Sequence, residues 1–279
     1  LSNHFRFHQS ITNLRGSVRH VLRENFSMTV GASVEQTSVS FELYKDNRNV
    51  KNNYWTWLPF ANINRSWKDK LNLTFAYRRS IRRPGINELN PTIDFGDPYN
   101  VRFGNEKLEA STAHNFDLVV GRTKQLYYVN LGLGYNIVEH IFSQVRTLIP
   151  GEKTQITWEN ISGRKEYEVS TWGGLTVTKK WKVNISGSYI YNVYSSFDKT
   201  ANRYRNGGSF TSNINSTWSP KDILNFTGSF TFNRFANPQG FARWNWSMNV
   251  GVQRKFLVKK LTVTVNIIDP LLQENKNYT

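Results

Sequence analysis

The chain has 279 residues, of which 36 are Lys or Arg and 20 are Asp or Glu, giving a formal net charge of +16. Cysteine is absent, which excludes disulfides, thiolate metal sites and cysteine nucleophiles. No run approaches the ~18 consecutive apolar residues of a membrane-spanning helix, and Leu1 opens no basic-then-apolar leader, so a cytosolic chain or a piece of a longer one is expected.

Hydrophobic residues make up only 38 %, but aromatics reach 14 %. A transmembrane β-barrel accommodates that balance, because each strand alternates one lipid-facing with one lumen-facing side chain. The basic excess is compatible with nucleic acid, anionic lipid or an anionic ligand.

Period-two alternation, the strand signal, recurs along the whole chain. A first strand over His4–Leu22 changes phase near Asn13. Phe26, Met28, Val30, Ala32 and Val34 then alternate with Ser27, Thr29, Gly31, Ser33 and Glu35. Tyr54–Trp67 carries Pro59, tolerated only at an edge, an end or a bulge. Leu71, Leu73, Phe75 and Tyr77 follow, and later Tyr127, Val129, Leu131, Leu133, Tyr135 and Ile137. Val183–Val193, Phe210–Trp218, Leu224–Phe232, Trp244–Val252 and Leu261–Ile267 repeat the pattern. Leu131 and Val263 are read as lipid-facing, Asn130 and Thr264 as lumen-facing.

Short polar turns are expected at Arg23–Asn25, Lys68–Lys70, Thr123–Gln125, Lys179–Lys180, Ser219–Asp222 and around Leu257–Lys260. Longer excursions alternate with them at Glu42–Asn53, Ser80–Ser111, Leu148–Gly163, Ser196–Asn202 and Ala236–Gly240. Short turns at one end and long loops at the other mark an outer-membrane barrel. The reading is an all-β, antiparallel, up-and-down transmembrane β-barrel of about twelve strands, with no domain boundary within residues 1–279.

A soluble sandwich would also alternate, but over a core rich in Val, Ile and Leu and without aromatics repeated near strand ends. Trp55, Trp57, Trp67, Trp181, Trp218, Trp244 and Trp246 mostly sit near such ends, where amphipathic rings anchor at the headgroup level. A β-propeller blade needs four short strands in the ~40–45 residues that hold two here.

Candidates for chemistry are few. His4 and His8 lie about 13 Å apart on a strand, too far to share a metal. His8 and Ser10 share a face, but no partnering acid or oxyanion donor accompanies them. Asp94, Asp97 and Asn100 lack calcium-loop spacing and read as a solvated turn. Asn-x-Ser/Thr triplets such as Asn72-Leu73-Thr74 follow from polar residues recurring on one strand face. No catalytic residue, metal or cofactor is expected, and no nucleic-acid motif is present. Arg78, Arg79, Arg82, Arg83 and Arg102 cluster around the longest loop with Tyr99 and Phe103. Arg82, Arg83, Tyr99, Arg102 and Phe103 are the candidate ligand contacts, drawing an anionic ligand by focused potential and charge-assisted hydrogen bonds. Lipid phosphates or plain solvation would account for the same residues.

That loop also carries a resemblance. Arg83-Pro84, Leu89-Asn90-Pro91, Asp97-Pro98-Tyr99-Asn100 and Gly104-Asn105-Glu106-Lys107-Leu108, followed by His114-Asn115-Phe116-Asp117-Leu118, resemble the C-terminal barrel of TonB-dependent outer-membrane receptors, in particular the Bacteroidetes-type barrel family. Glu106 and Ala110 stand where that pattern has prolines, and Ser111 where it has glutamate. On the residues alone, the three prolines end the strand and stiffen the loop, and Gly104-Asn105 can adopt left-handed turn geometry at low cost.

The resemblance implies energy-coupled uptake of a nutrient ligand across the outer membrane of a Gram-negative bacterium. It implies a wider barrel of about twenty-two strands, of which this chain is the C-terminal portion, and a plug outside this chain that contacts TonB. Outer-membrane lipid and a surface lipoprotein are further implied partners. A passive porin-like channel and a surface adhesion barrel remain the alternatives.

Overall fold

The computed structural model describes residues 5–44, 48–68, 70–93, 96–97, 99–151, 153–195, 205–237, 240–241, 244–258 and 260–270. His4, Asp94, Pro98, the loop at Ser196–Asn202 and the tail beyond residue 270 lie outside them.

The expected alternation is realised as strands β1 (Phe5–Arg23), β2 (Phe26–Leu43), β3 (Arg48–Ser66) and β4 (Leu71–Arg82). The long loop after β4 holds a single helical turn, α1 (Ile86–Leu89), and a short strand, β5 (Asn100–Arg102). Then come β6 (Ser111–Thr123), β7 (Tyr127–Ile149), β8 (Lys153–Thr178), β9 (Trp181–Tyr194), β10 (Gly207–Lys221) and β11 (Leu224–Arg234). A small hairpin, β12 (Ala236–Asn237) and β13 (Gly240–Phe241), precedes β14 (Asn245–Phe256) and β15 (Leu261–Ile268). Twelve strands form one antiparallel meander in sequence order, β1-β2-β3-β4-β6-β7-β8-β9-β10-β11-β14-β15, and β5 adds to β8 in parallel. Among the described residues, no pairing joins β1 to β15.

Cross-strand register puts the apolar positions on one continuous face. Met28, Ile63, Phe75, Leu118, Leu133, Val169, Tyr189 and Phe210 are successive partners across eight strands. None of these side chains is buried (Leu133 is 44 % exposed and Val169 50 % exposed), so the face meets lipid rather than a protein core. Leu131 and Val263 belong to this face, as expected. An aromatic row, Tyr77–Phe116–Tyr135–Tyr167, crosses β4 to β8 with ring centroids 4.9–6.2 Å apart. Near the short turns Trp181 pairs with Trp218, which stacks on Phe226 at 5.2 Å. The aromatic group at the short turns fits one membrane interface.

The opposite face carries polar ladders. Ser33 donates to Asn13 (2.9 Å), Thr74 to Asn64 (3.0 Å), Asn136 to Glu166 (2.8 Å) and Thr231 to Asn213 (2.6 Å). These bonds satisfy polar side chains along a wet inner wall.

Two expected loops prove to be strand. β2 and β3 continue to Leu43 and Arg48, and β7 and β8 to Ile149 and Lys153. Beyond the membrane neither face of a hairpin meets lipid, since the outer face meets water and the inner face packs on the long loop, so the lipid-lumen alternation fades while backbone pairing persists. Trp55 and Trp57 therefore lie within β3. Counted from Ser66 they fall about ten residues up, where a tilted span of ~9–11 residues leaves the bilayer. Pro59 fits its constraint: β4 pairs with β3 only from Phe60 onward, so the missing donor falls where pairing on that side stops.

Candidate functional site

The buried apolar residues lie not in the wall but at its long-loop end. Among the described residues they are Phe41, Leu89, Leu108, Phe142, Val145 and Ile156. Leu89 and Leu108, from the loop after β4, pack with Phe142 of β7 against Phe7, Val39 and Trp158. Val39 on β2 and Phe142 on β7 are four strands apart, about 19 Å along a flat sheet. The same loop residues touch both, so the wall is curved and the loop crosses its concave side.

Local chemistry dictates the path. Pro84, buried, ends β4. Glu88 in α1 reaches back to accept from the Gly85 N–H at 2.5 Å, as an acid at that position of a first turn does. The Gly104 N–H donates to the Asn90 carbonyl (2.6 Å) and the Asn105 N–H to the Glu88 carbonyl (2.7 Å), which closes the loop's neck.

Gly104 does not use the left-handed conformation open to it, since the positive-φ glycines described are Gly151 and Gly163. Its role is close approach: a Cβ there would stand 2.6 Å from the Asn90 nitrogen and the Glu88 oxygen. Asn105 then ties the neck to β8 through its side-chain amide, which donates to the Trp158 carbonyl at 2.9 Å.

The five candidate ligand contacts divide between two anchorages. Arg83 is directed into the wall, where its Nε donates to Thr37 (3.0 Å) and its NH2 group pairs with Glu35. Arg82 lies over the Phe142 ring, 4.5 Å from its centroid, and pairs with Glu88 at 3.2 Å while its side chain stays 67 % exposed. Tyr99, Arg102 and Phe103 run beside β8: the Thr154 N–H donates to the Tyr99 carbonyl, and the Phe103 N–H to the Ile156 carbonyl. Tyr99 is 71 % exposed and Arg102 is exposed as well.

Arg78 and Arg79 separate because adjacent strand residues point to opposite faces. Arg78 shares the inner face of Thr74, while Arg79 reaches the Trp57 carbonyl on the outside at 3.3 Å. His8 and Ser10 are exposed on β1, in phase with the outward row of Leu14 and Val18.

Asp97 organises the loop's tip. It accepts from the Tyr99 N–H (2.9 Å), the Asn100 N–H (3.2 Å) and the Asn100 side-chain amide (2.6 Å). The Asn100 side-chain bond foremost, then that from Tyr99, hold its carboxyl below the usual range.

Two hollows flank the loop. One, between the loop and β1–β3, is lined by Val39, Phe41, Tyr54, Arg83, Leu89 and Leu108, and encloses only about 30 Å³, space for a water or two. There the loop is packed down. The other, on the inner wall beneath β4 and β6–β8, offers about 290 Å³ and is lined by Arg82, Asn115, Asn136, Phe142, Arg164 and Glu166. Arg164 and Glu166 pair at 3.1 Å. Sequence reasoning missed Glu35, Thr37, Arg164 and Glu166, which sit on ordinary-looking polar rows. That Arg83 engages Glu35 and Thr37 has no signal in the local pattern.

Residues 1–279 match the outer membrane protein beta-barrel family. Among solved structures, the copper transporter OprC aligns with TM-score 0.74 and 10 % identity over 94 % of this chain and 42 % of that one. The siderophore receptor PirA from Pseudomonas aeruginosa gives TM-score 0.63 and 14 % identity, over 95 % and 54 %. A mutant of the ferric enterobactin receptor PfeA from Pseudomonas aeruginosa gives TM-score 0.60 and 13 % identity, over 95 % and 48 %. The chain thus spans about half the length of these structures, and at such identity the likeness is one of fold. No curated protein matches the sequence significantly.

Proposed function

The chain belongs to the outer membrane protein beta-barrel family, and from that premise we propose that it is barrel wall from an outer-membrane receptor that imports a nutrient ligand under TonB coupling, and not an enzyme. What carries the reading is the combination of a twelve-strand wall with polar inner ladders, a long loop folded across its concave side, and a fold shared with receptors and a transporter about twice as long. In this reading the remaining strands and the plug that meets TonB belong to parts of the receptor outside this chain. Ligand reaches the mouth between the Tyr99–Phe103 strip, exposed at Tyr99 and Arg102, and Arg82. Arg83 serves the same site indirectly, by holding the loop that presents them. A surface lipoprotein covering the mouth is a finer element of the same proposal.

The test uses the native protein that carries this segment, extracted from outer membranes. A plugged receptor has an intact mass far above 32.5 kDa and gives no steady conductance in planar bilayers. A mass near 32.5 kDa with a stable ohmic current would instead establish a self-contained passive channel and overturn the coupled-import reading.

A further inference from the structure

The net charge of this chain is concentrated at one end. The six short turns and their flanks (residues 22–25, 65–71, 122–127, 178–182, 219–224 and 254–261) contain fourteen of the 36 Lys and Arg but only three of the 20 Asp and Glu. Eleven of the sixteen excess positive charges are therefore in these segments. The long-loop half is mixed by contrast. The ion pairs described there are Arg82–Glu88, Arg83–Glu35, Arg164–Glu166 and His140–Glu109, and none of the described ion pairs involves a turn cation.

So many like charges on one rim repel one another unless an anionic layer lies against them. Register identifies the side on which that layer sits. Arg65 is the cross-strand partner of Phe26 and Leu73, Arg122 of Leu71 and Val129, and Arg254 of Leu224 and Val263. All three guanidinium groups thus continue the outward apolar rows, and all three residues are exposed. Arg65 lies 4.7 Å over the Trp67 ring and Arg254 4.9 Å over the Phe256 ring. An arginine stem along apolar surface, beside an interfacial ring, carries its charged head to the level of lipid phosphates. The strand arginines thus take the outward phase, where a lipid headgroup is met, while Lys182 and Lys255 take the inner phase of the same rim. The turn lysines Lys68, Lys70, Lys124, Lys179 and Lys180, all exposed, extend the same field just beyond.

We infer that the short-turn rim is a binding surface for the anionic phosphates of glycerophospholipids in the periplasmic leaflet, the leaflet that short barrel turns face. The inference rests on the outer-membrane location and not on what the receptor imports. The rim cations then fix the depth of the wall in the bilayer and gather anionic lipid around it.

The test places the native protein carrying this segment in phosphatidylcholine bilayers with trace spin-labelled phosphatidylglycerol or spin-labelled phosphatidylcholine. Electron paramagnetic resonance then gives the fraction of each label immobilised against the barrel. Phosphatidylglycerol should be favoured by roughly five-fold at low salt, and the preference should fall toward one near 1 M salt. The variant R65Q/R122Q/R254Q should lose most of it, and R65K/R122K/R254K should keep it. The variant K68Q/K70Q/K179Q/K180Q changes only exposed turn residues, so it reports even where the arginine variant folds poorly, and should lower the preference. K107Q, in the long loop, should leave it alone. No preference in the native protein, or a preference that both glutamine variants retain, overturns the inference, and the former outcome would point to a soluble acidic partner.

Discussion

Arg83 and Glu35, 48 residues apart in sequence, form an ion pair in which each side chain is only 15 % exposed, and it fastens the long loop to the inner face of β2. The Arg83 Nε donor to Thr37, whose side chain is fully covered, completes the attachment. An apolar cluster alone would let the loop slide, whereas a forked guanidinium on two acceptors sets its position.

Replacing Arg83 with Gln should therefore leave Glu35 half-desolvated without its cation, at a cost of about 1–3 kcal/mol to the loop's attachment. Hydrogen exchange of residues 84–110 should accelerate about tenfold or more while exchange in β6–β11 stays unchanged. Arg83→Lys should fall between, keeping the charge but not both contacts. Unchanged exchange in Arg83→Gln would mean that the Leu89–Leu108–Phe142 cluster holds the loop by itself.

Gly104→Ala tests the neck. The added methyl carbon would stand 2.6 Å from backbone atoms of Asn90 and Glu88, which cannot move without breaking the Gly104 and Asn105 hydrogen bonds. A loss of about 1–3 kcal/mol is expected, seen as faster protease nicking between α1 and β6. Gly16→Ala, on β1 with nothing within 4 Å of the new carbon, should change nothing measurable.

Strands and short turns were legible because each strand in the bilayer has two unlike surroundings, lipid and lumen, and writes that difference at period two. The upper parts of β2–β3 and β7–β8 were not legible. Lys51, Asn52 and Asn53, or Lys153 and Thr154, have lipid on neither face, so nothing in their order distinguishes paired strand from loop. The loop's prolines and its Gly-Asn were recognisable as punctuation. Which wall residues the loop would seize was not, because Glu35 looks like any other member of a polar lumen row. The reason for Gly104 was likewise hidden, since a need for close approach and a need for positive φ select the same residue.

Asp97 makes the loop tip dependent on pH. Its carboxyl titrates below the usual range because the folded tip supplies the Asn100 amide and the Tyr99 N–H to the ionised form. A depressed folded pKa means that the stabilisation is complete above the unfolded pKa and disappears as pH falls through the folded one. Exchange of the Tyr99 and Asn100 amides, corrected for intrinsic rates, should stay slow at neutral and mildly acidic pH and speed up only below the ordinary carboxylate range. In Asp97→Ala the two amides should exchange fast at every pH. A transition near neutrality would assign the effect to another group.

The assignment of lipid and lumen faces is open to a paired substitution on β7. Leu131 is 47 % exposed in line with Leu118, Leu133 and Val169, whereas the side chain of its neighbour Asn130 lies on the other face, 3.4 Å from the Trp172 carbonyl. Leu131→Arg would bring a charge into hydrocarbon near the middle of the span and should cost about 2–4 kcal/mol in reversible unfolding from liposomes. Asn130→Arg places the same charge in the wet lumen and should cost less than about 1 kcal/mol, since inner-wall arginines such as Arg78 are already accommodated. The ratio between the two decides the matter, because general effects of inserting a long side chain appear in both. Equal costs would mean that both faces of β7 meet the same medium, and the wall would then not be a membrane barrel.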